Sequence, residues 1–253
     1  MRNKKLTTLD RLNILLRCFV VQASWNFRSM LGLGFCFCVI PIARRLYKTA
    51  KERSEFLHRH LEFFNAHPYF VGFCLGAVIR LEEESLHKQW PDKRPISIFK
   101  ERMTGPLGGL GDQLFWNRIK PATVALGVLL GLRYGWIGIP IFLLVYNIPH
   151  VYLRVKSMNV SYKMGFDVIS IMSTQRFKQA GRIMSFGGML IAGVLLVVAA
   201  HWCFQRDIAV SAAFFVSALL TALLIYYKKS INFVIFTVTL SSIVVGWIFG
   251  MYF

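Results

Sequence analysis

The chain has 253 residues, 55% of them hydrophobic, and 30 lysines and arginines face only 12 acidic residues, for a formal net charge of +18. Soluble proteins sit closer to about 45–50% apolar, and a mean hydropathy of +0.50 makes lipid part of the expected solvent. The basic balance fits the cytoplasmic segments of a membrane protein rather than a nucleic-acid surface, because no soluble DNA-binding motif accompanies it. Cys18, Cys36, Cys38, Cys74 and Cys203 form no CxxC pair and most sit among Phe, Leu and Val. They read as small buried hydrophobes, with no disulfide framework, metal site or cofactor indicated.

Met1-Arg2-Asn3-Lys4-Lys5 is basic, but no uninterrupted apolar region and cleavage site follow it. It reads as retained and cytoplasmic, not as a signal peptide. Residues 7–21 form an amphipathic helix with Leu9, Leu12, Leu16, Phe19 and Val20 at spacings of three and four, opposed by Arg11 and Arg17. Thr7 and Asp10 have capping-box spacing. This helix either lies in the headgroup plane or is an ordinary surface helix. Residues 30–43 are apolar but short for a span, and hold Gly32, Gly34 and Pro41, as broken or re-entrant transporter helices do. Residues 44–64 carry one stripe (Leu46, Tyr47, Ala50, Leu57, Leu61, Phe64) on an otherwise charged helix, ended at Asn65-Ala66-His67-Pro68 because the residue before proline disfavours helix.

Residues 69–79 form a second short apolar run, stopped by Arg80 and three glutamates. The polar stretch 87–102, with Pro91 and Pro95, reads as a loop, and Gly105-Pro106-Leu107-Gly108-Gly109-Leu110-Gly111-Asp112 as a Gly-rich turn. Residues 121–151, cut by Arg133, Gly135 and Pro140, read as a helical hairpin or broken pair, and 159–182 as polar and amphipathic. Three spans of near-full length follow at 183–204, 209–227 and 231–253. The positive-inside rule puts Lys228-Lys229 and the basic 176–182 stretch in the cytoplasm, with 205–207 and the C-terminus outside. The expected architecture is an all-α integral membrane protein in three parts: an interfacial helix (1–21), a core of short broken helices, cytoplasmic helices and a Gly-rich loop (22–182), and three C-terminal transmembrane helices (183–253).

Three constellations carry candidate chemistry: Gln22-x-x-Trp25-Asn26; Phe63-Phe64-Asn65-Ala66-His67-Pro68 with Glu82 and Glu83 downstream; and the Gly-rich segment ending in Asp112-Gln113, followed by Phe115 and Trp116. Aromatic rings beside Asp, Asn, Gln or Glu are the set a sugar needs, since its apolar faces rest on rings and its hydroxyls need fixed donors and acceptors. An acid at membrane depth is expensive and so is a functional candidate by default. Each has a plainer reading. Asp112 caps the following helix; the glutamates are a solvated face or partners of Arg80; His67 is a structural hydrogen-bonding residue; Trp25 is an interfacial anchor. The Gly-rich segment lacks the Gly-Lys-Ser/Thr ending of a P-loop.

At these residues the sequence resembles the IID subunits of mannose-family, phosphoenolpyruvate-dependent sugar phosphotransferases. The likeness is carried by QASWNFRSMLGLGFCFCVIPIARRLY (22–47), RHLEFFNAHP (59–68), LEE (81–83) and GPLGGLGDQLFW (105–116), with weaker agreement through YNIPHVYLRV, YKMGFD and Lys228-Lys229. The resemblance implies a permease subunit, without a phosphohistidine of its own. Such a subunit pairs with a IIC membrane subunit in a trimer of heterodimers and moves a hexose across the bacterial inner membrane by an elevator-like motion. Soluble IIA and IIB domains relay phosphate, and IIB phosphorylates the arriving sugar. On this reading Asp112, Gln113, Asn65 and His67 supply the polar lining, Trp25 and Phe115 apolar walls, and Glu82 and Glu83 contacts to substrate or scaffold. The chain departs from the family at Arg28-Ser29, where Glu commonly follows WNF, at Gln113, where Pro or Ser commonly follows GD, and in the short 205–209 connection. These departures motivate an alternative, a non-transporting relative acting as membrane scaffold or regulator. A third possibility is a membrane enzyme using His67 with Glu82 or Asp112 as acid and base.

Overall fold

The computed structural model describes residues 6–172, 175–206 and 208–248. The basic residues 1–5, Asp207 of the short connection and the end of the last expected span lie outside the described residues. The described chain is helical, with only two isolated bridges, Asn26 to Met30 and Met30 to Phe64, for extended pairing. It divides into two compact units, Met1–Met189 and Leu190–Phe253.

In the first unit, helix α1 (Thr8–Phe19) begins at the expected capping box: the Thr7 hydroxyl accepts from the Asp10 N–H, and the Asp10 carboxylate accepts from the Thr7 N–H. It carries apolar residues on two faces. Ile14 and Cys18 are buried on the core, whereas Leu9, Leu12, Leu16 and Phe19 point outward. Helix α2 (Gly32–Leu46) runs without a break through Pro41. Its glycines answer to packing: a Cβ on Gly34 would lie 1.9 Å from the Val21 carbonyl oxygen, and one on Gly32 2.6 Å from that of Glu62. The single helix expected over 44–64 is divided: residues 44–46 close α2, and helix α3 (Ala50–Leu61) starts at a second capping box, Thr49 with Glu52, whose bonds to the first-turn N–H groups favour a fresh start, and ends before Asn-Ala-His-Pro.

Helix α4 (Val71–His87) is buried over most of its length. Helix α5 (Arg94–Gly111) corrects two expectations. The 87–102 stretch is a loop only to Lys93, because Pro95 falls in the first helical turn, where its missing N–H does no harm. The Gly-rich stretch is not a turn: α5 continues through it and passes into a π-helical segment, Asp112–Ile119. Helices α6 (Lys120–Tyr134) and α7 (Gly138–Met164) form the expected hairpin, turned at Gly135 with φ +60°. Helix α7 lies along α4. A Cβ on Gly72 would sit 2.2 Å from Ser157 Oγ, and one on Gly76 2.2 Å from Ser161 Oγ. This Gly-xxx-Gly face against Ser-xxx-Ser lets two backbones approach as closely as packing within lipid favours. The short helix α8 (Ile169–Met172) precedes α9 (Gln175–Arg206), which enters the second unit.

The second unit continues with α10 (Ile208–Tyr226) and α11 (Ile231–Ile248), joined at Lys228, whose φ is +54°. Among the described residues, the helical run Arg94–Met172 contains one stretch long and apolar enough to cross a membrane and Phe177–Trp202 is a second, with shorter apolar helices at Ser211–Tyr226 and Ile231–Ser241.

Candidate functional site

The three motif segments, distant in sequence, meet in the first unit. Asn26 organises the first: its side-chain oxygen accepts from the Arg28 and Ser29 N–H groups at 3.0 and 2.9 Å. Met30 then adopts φ +53°, an uncommon conformation for a residue with a Cβ. The following residues strap onto the second motif, with the Leu31 N–H donating to Phe64 O (2.9 Å) and the Phe64 N–H to Ser29 O (3.2 Å). The third motif packs on the other side of that segment. A Cβ on Gly108 would sit 3.8 Å from Asn65 O, and one on Gly111 only 2.1 Å from His67 Cβ. Glycine at 111 is therefore what lets α5 reach His67.

Lys100, about three turns before Gly111 on α5, holds the end of α3 that leads into this junction. Its side chain is 1% exposed, and its ammonium donates to the carbonyls of His60 (3.1 Å), Glu62 (3.2 Å) and Arg59 (3.4 Å). These are carbonyls at the C-terminal end of α3, where a cation is favoured. Burial pulls the Lys100 ammonium below its ordinary value. The same charge lies over the rings of Phe35 and Phe64, at 5.1 and 5.9 Å. The sequence, read as a polar loop here, gave no sign of this lysine.

His67 is the centre of the junction. It is 1% exposed, stacked on Phe115 (5.4 Å between centroids, 20°), and edge-on to Tyr69, Phe70 and Trp116. Its Nδ1 accepts from the Tyr69 N–H at 3.2 Å, which fixes the proton on Nε2. That Nε2 is buried and has no hydrogen-bond partner among the described residues. Burial first, then the Arg154 guanidinium and His150, hold His67 down at about 4, so the ring is neutral. Asp112, one residue beyond Gly111, is half-buried, and Gln113 and Asn65 are exposed. The backbone on both sides of Asp112 is helical, so Asp112 does not cap a helix start. It opens the π-helical segment that carries Phe115 and Trp116, a backbone form frequent at functional sites.

The remaining sequence candidates lie apart from this junction. Trp25 is half exposed and pairs edge-on with Phe27 at 4.8 Å. Glu82 is fully buried at the centre of a separate network. It takes three hydrogen bonds from Arg59 (3.0–3.2 Å) and one from Tyr47 (2.7 Å), while His60 Nε2 lies 3.2 Å away. Burial alone would raise the Glu82 carboxyl, but His60, Arg59 and Tyr47 outweigh it and hold it at about 2. Burial pulls the His60 imidazole below its ordinary value, and the fixed positive charge beside Glu82 comes from Arg59 at 3.0 Å, with the Lys93 ammonium further off at 3.9 Å. Glu83 accepts from the Tyr162 hydroxyl. Arg80 pairs with Glu84 at 2.8 Å rather than with either of them. Among the described residues no group of His, Cys, Asp and Glu could hold a metal ion.

Comparison with known proteins carries the reading further. Residues 5–251 match the family described as the PTS system mannose/fructose/sorbose family IID component. The chain is 34% identical over 194 residues to the mannose-specific EIID component of Escherichia coli (strain K12), covering 76% of this chain and 69% of that protein. It is 32% identical over 196 residues to the sorbose-specific EIID component of Klebsiella pneumoniae, covering 78% and 72%. The fructose permease IID component of Bacillus subtilis (strain 168) is 29% identical over 195 residues. Among solved structures, one described as a membrane protein superposes with a TM-score of 0.70, and a chain of the cryo-EM structure of the mannose transporter ManYZ with microcin E492 with a TM-score of 0.62. Both are 33% identical, over 76% of this chain and 71% of theirs. The matched residues include all three segments that meet at His67, and this chain belongs to the mannose/fructose/sorbose family as a IID component, a membrane permease subunit of a sugar phosphotransferase system.

Proposed function

We propose that this subunit translocates a hexose across the bacterial inner membrane together with a IIC subunit, in a trimer of heterodimers, while IIB, charged by IIA, phosphorylates the arriving sugar. The relatives named for mannose, sorbose and fructose support the substrate class, and the ManYZ neighbour supports a two-subunit transporter. Lys228 and Lys229, between two apolar helices, support a cytoplasmic position for that turn and an extracytoplasmic C-terminus.

The observation that carries the proposal is the junction at His67. A neutral imidazole offers an Nε2–H with no acceptor among the described residues. It lies against the aromatic face of Phe115, with Asp112 and Gln113 on the next turn of the adjoining helix and Asn65 two residues before it. A carboxylate accepts from two hydroxyls, carboxamides both donate and accept, and a ring face takes the apolar side of a pyranose. Trp25, Glu82 and Glu83 serve instead as positioning and packing groups. The test is labelled-hexose uptake in cells lacking their own mannose-family permease, with this chain expressed beside its IIC and IIB partners. Asp112→Asn is expected to assemble normally and to abolish uptake. Uptake by Asp112→Asn equal to wild type would remove Asp112 from the site. A correctly inserted wild-type complex that takes up no hexose would favour the scaffold or regulator reading.

A further inference from the structure

The wall opposite His67 is built by α7. The Tyr69 ring stands between His67 and that helix: it meets His67 edge-on at 4.8 Å and stacks on His150 at 4.4 Å and 15°. Its hydroxyl lies 3.0 Å from that of Tyr146. The Arg154 guanidinium, one turn beyond His150, sits 5.0 Å from the Tyr69 ring centre.

The protonation pattern of His150 follows from its neighbours. Asn147 Nδ2 donates to Leu143 O at 2.6 Å, so Asn147 Oδ1 is the atom facing His150 Nε2, 2.7 Å away. His150 Nε2 therefore carries the proton and Nδ1 is left as an acceptor. That Nδ1 has no hydrogen-bond partner among the described residues, although His150 is only 8% exposed. His67 is the reverse case: its Nδ1 is satisfied and its Nε2–H is not. Arg154 Nε, on a side chain 4% exposed, is a further unpartnered donor.

Buried polar groups are rarely left without partners, because each such group costs free energy. Here one acceptor and two donors are left, all on side chains that touch the Tyr69 ring. Among the described residues no carboxylate pairs with Arg154, whose other partners are Cys18 O and Sγ and the ring of Phe19. A ligand that answers both kinds of orphan must donate and accept at once, and a neutral hydroxyl does so.

We infer that His150 and Arg154 of α7 form a second polar wall of the hexose site, with His150 Nδ1 accepting from one sugar hydroxyl and Arg154 Nε donating to an oxygen of the same sugar. This rests on the reading of the His67 junction as part of that site. It adds residues outside the three constellations of candidate chemistry, and it makes His150 a determinant of which hydroxyl pattern is accepted.

The experiment compares His150→Asn and His150→Gln in the assembled transporter, by uptake of hexose and of its monodeoxy analogues. Asn places a carboxamide oxygen near the position of Nδ1, and Gln near that of Nε2. If Nδ1 reads the sugar, His150→Asn keeps uptake near wild type, whereas His150→Gln raises the KM roughly tenfold or more, the usual consequence of one lost buried hydrogen bond. For one monodeoxy hexose, the one lacking the hydroxyl that Nδ1 receives, wild type and His150→Gln take up the analogue equally. A purely structural histidine, acting through Nε2 and Asn147, gives the opposite order, with Gln tolerated and Asn not. That order, or equal loss for every analogue, overturns the inference while leaving Asp112-dependent uptake standing. A wild-type complex without hexose uptake overturns the proposed function and this inference together.

Discussion

The two compact units place their polar groups differently. In the first, buried side chains include His60, His67, Glu82, Lys100, His150 and Arg154, and several glycines are pinned by neighbouring backbone. In the second, α10 and α11 carry large apolar side chains on their exposed faces, such as Leu219 and Phe236, and a Cβ on Gly193 would meet nothing within 4 Å. A polar group within an apolar medium persists only when paired or used. The first unit accordingly holds the networks and the candidate site, and the second is built of helices whose side chains suit lipid contact.

Substitutions of matched type in the two units sharpen this contrast. The largest effect is expected at Gly34→Ala, which sets a methyl carbon against the Val21 carbonyl with no flexible atom to give way. A loss above about 4 kcal/mol, seen as failure to recover folded protein, places it in the exceptional class of core mutations. Gly193→Ala in α9 meets open space and should be neutral or slightly stabilising, because alanine is the better helix former. Similar yields for the two variants would break the comparison.

Glu82→Gln comes next. It leaves Arg59 without its counter-charge, and breaking a buried pair costs about 3–5 kcal/mol. The melting temperature of the purified protein should fall accordingly, and a shift within error of wild type would show that the network contributes little. Lys100→Met strips donors from three carbonyls at the end of α3, for a loss of about 1–3 kcal/mol. Lys228→Gln, at an exposed turn in the second unit, should change stability by less than about 0.5 kcal/mol.

A further expected effect is a slope with pH. The folded value of His67 is depressed, from 6.5 to about 4, so its neutral form favours the folded state. That contribution is whole above 6.5 and is lost as pH falls from there towards about 4. Protonating Nδ1 also removes the acceptor for the Tyr69 N–H. Melting temperature followed through this window should decline, with a shallower decline in His67→Phe. The loss from Glu82, whose value is depressed from 4.5 to about 2, lies at lower pH and should survive in that variant. An unchanged slope in His67→Phe would assign the acid sensitivity elsewhere.

Part of the helical layout was legible in the residues. Thr7 with Asp10 announced the start of α1 and Gly135 the α6–α7 turn, because caps and positive φ are local properties of the backbone, whereas the helix expected over 44–64 is broken at 47–49 and ends at Leu61, short of Asn-Ala-His-Pro. The C-terminal helices were legible from length and apolarity alone. The Gly-rich stretch misled, because glycine has two uses that look alike in sequence: bending a turn and clearing space for a neighbour. At Gly108 and Gly111 it is the second, and the neighbour is the segment 65–67. The Gly72-xxx-Gly76 and Ser157-xxx-Ser161 spacings were visible signals of the α4–α7 contact that motif analysis passed over.

The sequence by itself determined a helical membrane protein, its family and a few helix ends, since these depend on composition, on short spacings and on motifs that stand within a few residues of one another. Only the tertiary structure decided which polar residues meet. Glu82 and His67 stand in neighbouring stretches of chain and both looked like site residues, yet Glu82 is saturated by Arg59, His60 and Tyr47 whereas His67 keeps a free Nε2–H against Phe115. Lys100, in a stretch read as a loop, is drawn to the end of α3 and the Phe64 ring, and His150, in a stretch of weaker agreement, stacks on the Tyr69 ring beside His67. Whether a buried polar atom is satisfied depends on groups brought together across the chain, and no local pattern records that.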